Sequence, residues 1–224
     1  MLTFRSPWSA AFGVVSVLHL VLLGADVTPW DSITKCLIAP VLIGWVVSVR
    51  GPRLLVVALA FCFLGDLFLE IEPLFVVGMA AFAAGHVCFI RHFVSRGAVA
   101  GLRARPWLLP LLVLVAVGLV VACWDGLEPA LRAPVPLYAL LLVGTAASSL
   151  VVDRVAGLGG LSFLVSDGLI ALGEAGRIDP DDLAPSLAVM TLYVLGILGL
   201  AVGIVREQQR SRATDCWPTL PQQV

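Results

Sequence analysis

The sequence predicts an all-α fold: a polytopic membrane helix bundle with eight transmembrane helices and both termini in the cytoplasm. Three observations lead there. First, 60% of the 224 residues are hydrophobic and only 13% are charged, with a mean hydropathy of +1.03. A soluble domain usually carries about 25% charged residues, so water is not the main solvent of this chain. Second, its apolar stretches run long without alternation, as in LLVVALAFCFLG and WLLPLLVLVAVGLVVACW. In lipid every backbone donor and acceptor needs an internal partner, which leaves only helices and closed barrels. Barrel strands alternate apolar and polar over ~10 residues, and these stretches do not. Third, the arginines sort to one side of the resulting segments.

A span needs about 20 apolar residues, with a range of ~17–25. The first candidate, 8–24, follows a short segment with Arg5 and has no A-x-A pattern after it, so it reads as a retained helix rather than a cleaved signal. ADVTPWD separates it from 32–49, and RGP leads into 53–70. EIEP precedes 73–94, and the longer break SRGAVAGLRARP precedes 106–124. DGLEPALRAP, DRVAG and EAGRIDPDD then set off 134–151, 157–175 and 184–205. Short connections make sequence neighbours antiparallel. Residues 1–206 thus read as one transmembrane domain, and the polar residues 207–224 as a disordered cytoplasmic tail.

Lysine and arginine concentrate on the cytoplasmic side of membrane helices. With the N-terminus inside, the inside holds Arg5, Arg50, Arg53, Arg91, Arg96, Arg103, Arg105, Arg154, Arg206, Arg210 and Arg212. The outside holds Lys35, Arg132 and Arg177, and most of the carboxylates, among them Asp31, Glu72, Glu174 and Asp181. Segment length and charge asymmetry are independent checks, and they agree on eight.

The net charge of −1 implies no nucleic-acid partner. Cys36, Cys62, Cys88, Cys123 and Cys216 form no CxxC pair. They read as small hydrophobes, with no disulfide framework and no metal site. HExxH, GxSxG and a cysteine–histidine pattern are absent as well, so no metal or cofactor is expected.

Carboxylates are what remains. A charged side chain in the bilayer core costs at least ~2.5–3.5 kcal/mol on insertion scales, and such residues face a bundle interior or a cavity. Asp66, in FCFLGDLFLE, lies about one turn from the outer end of the third segment. Asp167, in LSFLVSDGLIALGE, lies about halfway along the seventh. Both fall in the outer half of the membrane and can share one cavity. Gly65, Gly168, Gly157, Gly159 and Gly160 allow their helices to approach closely. Glu70 follows Asp66 by four residues and Glu174 follows Asp167 by seven, each on its aspartate's face; both also read as interfacial residues. His86 lies in the middle of the fourth segment, and His19 in the first reads as structural. His92 lies at a cytoplasmic end and reads as solvated. Tyr138 and Tyr193 read either as interfacial aromatics or as cavity residues. Lys35 reads either as a snorkelling residue or as a ligand for a lipid phosphate.

The segments LGDLFLE (64–70), GMAAFAAGHVCFI (78–90), PVPLYA (134–139) and GGLSFLVSDGLIA (159–171), with Thr34-Lys35 opening the second span, carry a likeness. In order and spacing, across about 32–205, the chain resembles the YhhN/TMEM86 family of lysoplasmalogenases. It departs from the family where Cys36 rather than proline follows Lys35. It departs again where Val194, Leu195 and Gly196 follow Tyr193 in place of a glutamine. The resemblance implies hydrolysis of the vinyl ether of a lysoplasmalogen, with ethanolamine or choline head group, to a fatty aldehyde and a glycerophospho head group. The partners would be a lysophospholipid substrate and membrane lipid, in a bacterial plasma membrane.

The chemistry fits the residues. Cleavage begins with protonation of the vinyl ether β-carbon and proceeds through an oxocarbenium ion that water captures. Two carboxyls in a low-dielectric cavity supply one protonated and one ionised group. Asp66 and Asp167 are the expected catalytic pair. His86, Tyr138, Ser166, Glu70 and Tyr193 would orient substrate or water, and Lys35 would hold the phosphate. Three other readings share these residues: a small proton-coupled membrane transporter, a non-catalytic lipid-binding or structural membrane protein, and a hydrolase of another ether lysolipid. Against the transporter, no repeat relates the two halves of the chain.

Overall fold

A computed structural model describes residues 6–71, 73–179 and 182–215. Arg5, Glu72, Asp181, Cys216 and the segment 216–224 lie outside the described residues. Each of the eight apolar segments is a helix. They are α1 (Pro7–Gly24), α2 (Trp30–Ser48), α3 (Arg53–Leu69), α4 (Phe75–Ser95), α6 (Leu108–Cys123), α7 (Pro134–Val152), α8 (Arg154–Glu174) and α9 (Leu183–Asp215). A ninth, α5 (Ala98–Ala104), lies in the break that the sequence leaves open between α4 and α6. Gly97, at φ 89°, makes the turn into it; a residue with a Cβ is strained there.

Local chemistry sets several ends. Ser6 caps α1 by accepting from the Ser9 amide at 3.2 Å, with Pro7 in the first turn. Proline there loses no helix bond, because the first amides have no intrahelical partner anyway. Asp153 ends α7 and starts α8. Its Oδ1 accepts from the amides of Val155 (2.8 Å) and Ala156 (3.2 Å), and its Oδ2 accepts from Arg210 (3.2 Å).

The helices close a ring in the order α1, α2, α3, α4, α7, α8, α9, with α9 returning to α1. α6 packs outside the ring, on α7 and more lightly on α8. α8 packs most extensively on α9, and α3 on α4, and glycines explain both. A Cβ on Gly159 would sit 2.5 Å from the Leu200 amide nitrogen, and one on Gly199 would sit 2.7 Å from Gly159 Cα. A Cβ on Gly85 would come within 3.2 Å of the Ala58 carbonyl. In lipid, where apolar burial drives little, such close approach supplies the association energy. Outward faces are apolar too: Val14, Val17 and Val21 of α1, and Leu114 and Val121 of α6, are exposed. A chain that is apolar both inside and outside is multi-pass and membrane-integral.

Among the described residues, six helices are long and apolar enough to cross a membrane: α1, α2, α4, α7, α8 and α9. The number rises to seven if α5 and α6, bent by 92° at their junction, form one span. α3 has 17 residues and α6 has 16.

Two expectations need correction. Residues 207–215 are not disordered but continue α9 as helix. The reason is electrostatic: Glu207 lies 3.3 Å from Arg96 and 3.6 Å from His92, and Arg210 reaches Asp153. His92 is accordingly buried rather than solvated, at 5% exposure. These contacts gather the end of α4, the α7–α8 junction and the α9 extension at one pole. Lys35–Glu70 and the bond from Arg177 to the Ala122 carbonyl (2.9 Å) lie at the other.

Candidate functional site

A cavity of about 120 Å³ lies between the ring helices and α6, with Lys35 on its wall. Its wall is almost wholly apolar, with contributions from α2, α3, α4, α6, α7, α8 and α9. Lys35, Asp66, Tyr138, Ser166, Asp167 and Tyr193 all line it. Six residues from five helices, far apart in sequence, therefore share one space. Glu174 lines it as well, so it is more than an interfacial residue.

Each aspartate has its own tyrosine. The Tyr193 hydroxyl donates to Asp66 Oδ2 at 2.5 Å, which ties α9 to α3 across 127 positions. The Tyr138 hydroxyl donates to Asp167 Oδ2, which ties α7 to α8. Asp66 is 2% exposed, so the hydroxyl stands where water would otherwise solvate the carboxyl. Sequence reasoning named both tyrosines but had no means of assigning them to their aspartates. The signal was there in one respect: each is the one tyrosine of its helix.

The tyrosines are held by aromatic packing. Phe82, Phe163 and Tyr193 meet edge to face, with ring centroids 5.9, 6.0 and 5.5 Å apart. Phe82 stands directly over Gly65, where a Cβ would come within 2.5 Å of its ring. The glycine before Asp66 thus makes room for the ring that packs on Tyr193. Ser166 Oγ donates to the Val189 carbonyl at 2.9 Å and joins α8 to α9 beside the cavity.

Two of the expected residues stand off the cavity wall. His86 is buried behind it, 4.6 Å from the Phe163 ring and 5.6 Å from the Tyr138 ring. Its Nδ1 shares a 3.0 Å hydrogen bond with Thr145 Oγ1, and its Nε2 is buried without a partner. Glu70 caps the end of α3 and accepts from Lys35 Nζ at 2.6 Å. Burial works against the Glu70 charge. The Lys35 ammonium beside it offsets that cost. Phe75, Met79 and Met190 line the cavity and were not legible as site residues, because in a chain this apolar nothing in the sequence separates a lining side chain from a packing one.

A sequence model of the YhhN family matches residues 30–204, which include every residue lining the cavity. The chain belongs to the YhhN family. Among its relatives is human lysoplasmalogenase TMEM86B, 31% identical over 179 residues that cover 78% of this chain and 75% of the human protein. The rat lysoplasmalogenase TMEM86B is 32% identical over 171 residues, covering 73% and 70%. No solved structure matches the chain.

The site of this YhhN protein yields a first prediction. Tyr193→Phe removes the donor to Asp66 and leaves a buried carboxyl oxygen short of one bond, a loss of about 1–3 kcal/mol. The thermal midpoint of the purified protein in detergent should fall. Tyr138→Phe should act in the same way through Asp167. An unchanged midpoint in both variants would show that the hydroxyls hold nothing.

Proposed function

We propose that this YhhN-family protein is a lysoplasmalogenase-type hydrolase acting on a lysolipid in the membrane. Its substrate carries an alkenyl ether on the glycerol, with an ethanolamine or choline phosphate head, and Asp66 and Asp167 do the chemistry. The observation that carries the reading is a pair of buried aspartates on one apolar cavity, each bonded to a tyrosine, in a chain whose relatives are named lysoplasmalogenases.

One carboxyl, in its protonated form, gives its proton to the β-carbon of the vinyl ether. The double-bond electrons form the new C–H bond, and positive charge spreads over the α-carbon and the ether oxygen. The other carboxyl, ionised, stabilises that cation and takes a proton from the water that attacks the α-carbon. The resulting hemiacetal collapses to the aldehyde and the glycerol hydroxyl of the head-group product. The sum is one water added and one C–O bond broken, with no redox change and no co-reactant. General acid–base catalysis of this type is worth about 10²–10⁴-fold. Fixed dipoles aimed at developing charge add to it, and the Tyr138 and Tyr193 hydroxyls are dipoles of that kind. The apolar wall suits the alkenyl chain and excludes bulk water. Lys35, on the same wall, suits the phosphate. Ser166 orients the α8–α9 wall, and His86, through its contact with Tyr138, positions that ring.

The test is to incubate the purified protein in detergent with a lysoplasmalogen and measure aldehyde. Release of aldehyde supports hydrolysis. Passage of intact lipid across a vesicle membrane without aldehyde would point to transport instead. A saturated ether lysolipid lacks the carbon that accepts the proton and should remain uncleaved.

We further propose that α3 and α6 also span, giving eight spans in one domain with both termini in the cytoplasm, in a bacterial plasma membrane. The arginine asymmetry supports this arrangement. Reporter fusions at the two termini should give the same, cytoplasmic, location. Opposite locations would refute an even number of spans.

A further inference from the structure

Lys35 lines the cavity, and Glu70, one helical turn beyond Asp66, pairs with it from just off the wall; the proton transfers of the hydrolase reading use neither side chain. The two meet at 2.6 Å, with side chains 19% and 28% exposed. Lys35 is the one cation among the described cavity residues, against the carboxylates of Asp66, Asp167 and Glu174. A lone lysine would draw the most anionic head group available. A lysine already matched by a glutamate, on an acid-rich wall, does not.

We propose that Glu70 is a specificity-determining residue that reads the cationic end of the substrate head group, so that zwitterionic heads are accepted and anionic ones rejected. The assignment rests on the hydrolase reading above. Its mechanism is an exchange of partners. The head-group phosphate replaces Glu70 at Lys35, and the head-group ammonium replaces Lys35 at Glu70. Every charge remains paired throughout. A half-buried charge left without its partner carries a desolvation penalty. A phosphoglycerol head takes Lys35 but offers nothing to Glu70, and so incurs that penalty.

The dimensions agree. Glu70 follows Asp66 by four residues, about 6 Å along the helix axis. In an alkenyl lysophospholipid, seven bonds separate the β-carbon that takes the proton from phosphorus, about 8 Å at ~1.2 Å of reach per bond. The ammonium lies four bonds beyond phosphorus, which suits the few ångströms between a lysine and a glutamate in contact. The surroundings are polar enough to hold the head. Ser32 bonds Glu70. His19, 2% exposed, accounts for its Nδ1 with the Asp31 carbonyl (3.0 Å) and Thr34 (3.3 Å), whereas its Nε2 is buried without a partner.

The experiment uses the full-length protein in mixed micelles and two substrates with one alkenyl chain, one headed by phosphoethanolamine and the other by phosphoglycerol. Aldehyde release gives kcat/KM for each. The wild type should prefer ethanolamine, and Glu70→Gln should cut that preference on the order of tenfold, mostly through KM. Glu70→Asp, which keeps the charge, should restore most of it. If Glu70→Gln slows both substrates by the same factor, Glu70 is merely structural and the proposal falls while the hydrolase reading stands. A wild type without preference also overturns it. A wild type that releases aldehyde from neither substrate overturns the hydrolase reading, and this assignment with it.

Discussion

Asp66→Asn and Asp167→Asn should each reduce aldehyde release by about 10²–10³-fold or more, into the background of the assay. Asparagine has nearly the size and shape of aspartate, so the cavity keeps its form. It can neither give an acidic proton nor hold a negative charge, so both halves of the acid–base exchange are lost. Tyr193 and Tyr138 can still donate to the amide oxygens, and removing a buried carboxylate lifts its desolvation penalty. Both variants should therefore insert, purify as monodisperse species and unfold no more easily than the wild type. The double variant should be no slower than the worse single one, because residues that act as a unit are not additive. Near-normal turnover in either single variant, with folding intact, would remove that aspartate from the mechanism.

Gly159→Val should abolish the folded protein rather than the chemistry. A Cβ on Gly159 would lie 2.5 Å from the Leu200 nitrogen and 2.7 Å from the Gly196 oxygen. Both are backbone atoms of α9, so no side-chain rotation can relieve the clash. Overpacking costs typically about 1–3 kcal/mol, occasionally more, and here the whole helix must move. α8 carries Asp167 and α9 carries Tyr193, so separating them also pulls Tyr193 from Asp66. The expected result is loss of the monodisperse protein in detergent, or a thermal midpoint lower by many degrees. The control is Gly118→Val, at a glycine of α6 with nothing within 4 Å of a Cβ. It should behave as wild type. Equal behaviour of the two variants would mean that the α8–α9 seam does not depend on close approach.

The helix positions were legible because the chain's punctuation is sharp. The breaks RGP and EAGRIDPDD stop helices through proline, glycine and charge, whereas of DRVAG only Asp153 lies outside a helix and the rest opens α8. α5 was not legible, since its seven residues sit in a stretch broken by Gly97 and Pro106 whose composition reads as a loop. The extension of α9 beyond Arg206 was missed for a different reason. Its residues are polar, and what keeps them helical is pairing with Arg96 and Asp153, which are distant in sequence.

The candidate site divides in the same way. Asp66 and Asp167 stood out because a carboxylate in an apolar segment is costly enough to require a reason. Lys35 and Tyr138 were each legible with two possible roles, and Ser166 stood out through the family likeness. Nothing local distinguished Glu174 on the wall from Glu70 beside it, since both lie one or two turns beyond an aspartate on the same face.

By itself, then, the sequence determined the solvent, the helical class, the segments and the two residues whose burial demands an explanation. Each of these follows from transfer free energies and backbone stops that act within about 20 residues. Only the tertiary structure decided that α6 stands outside the ring, that each aspartate has its own tyrosine and that His86 lies behind the cavity rather than on it. It also decided that Lys35 meets Glu70. These are pairings between helices up to 127 positions apart. They depend on which faces pack together, and in a chain apolar on every face no periodic stripe announces that choice.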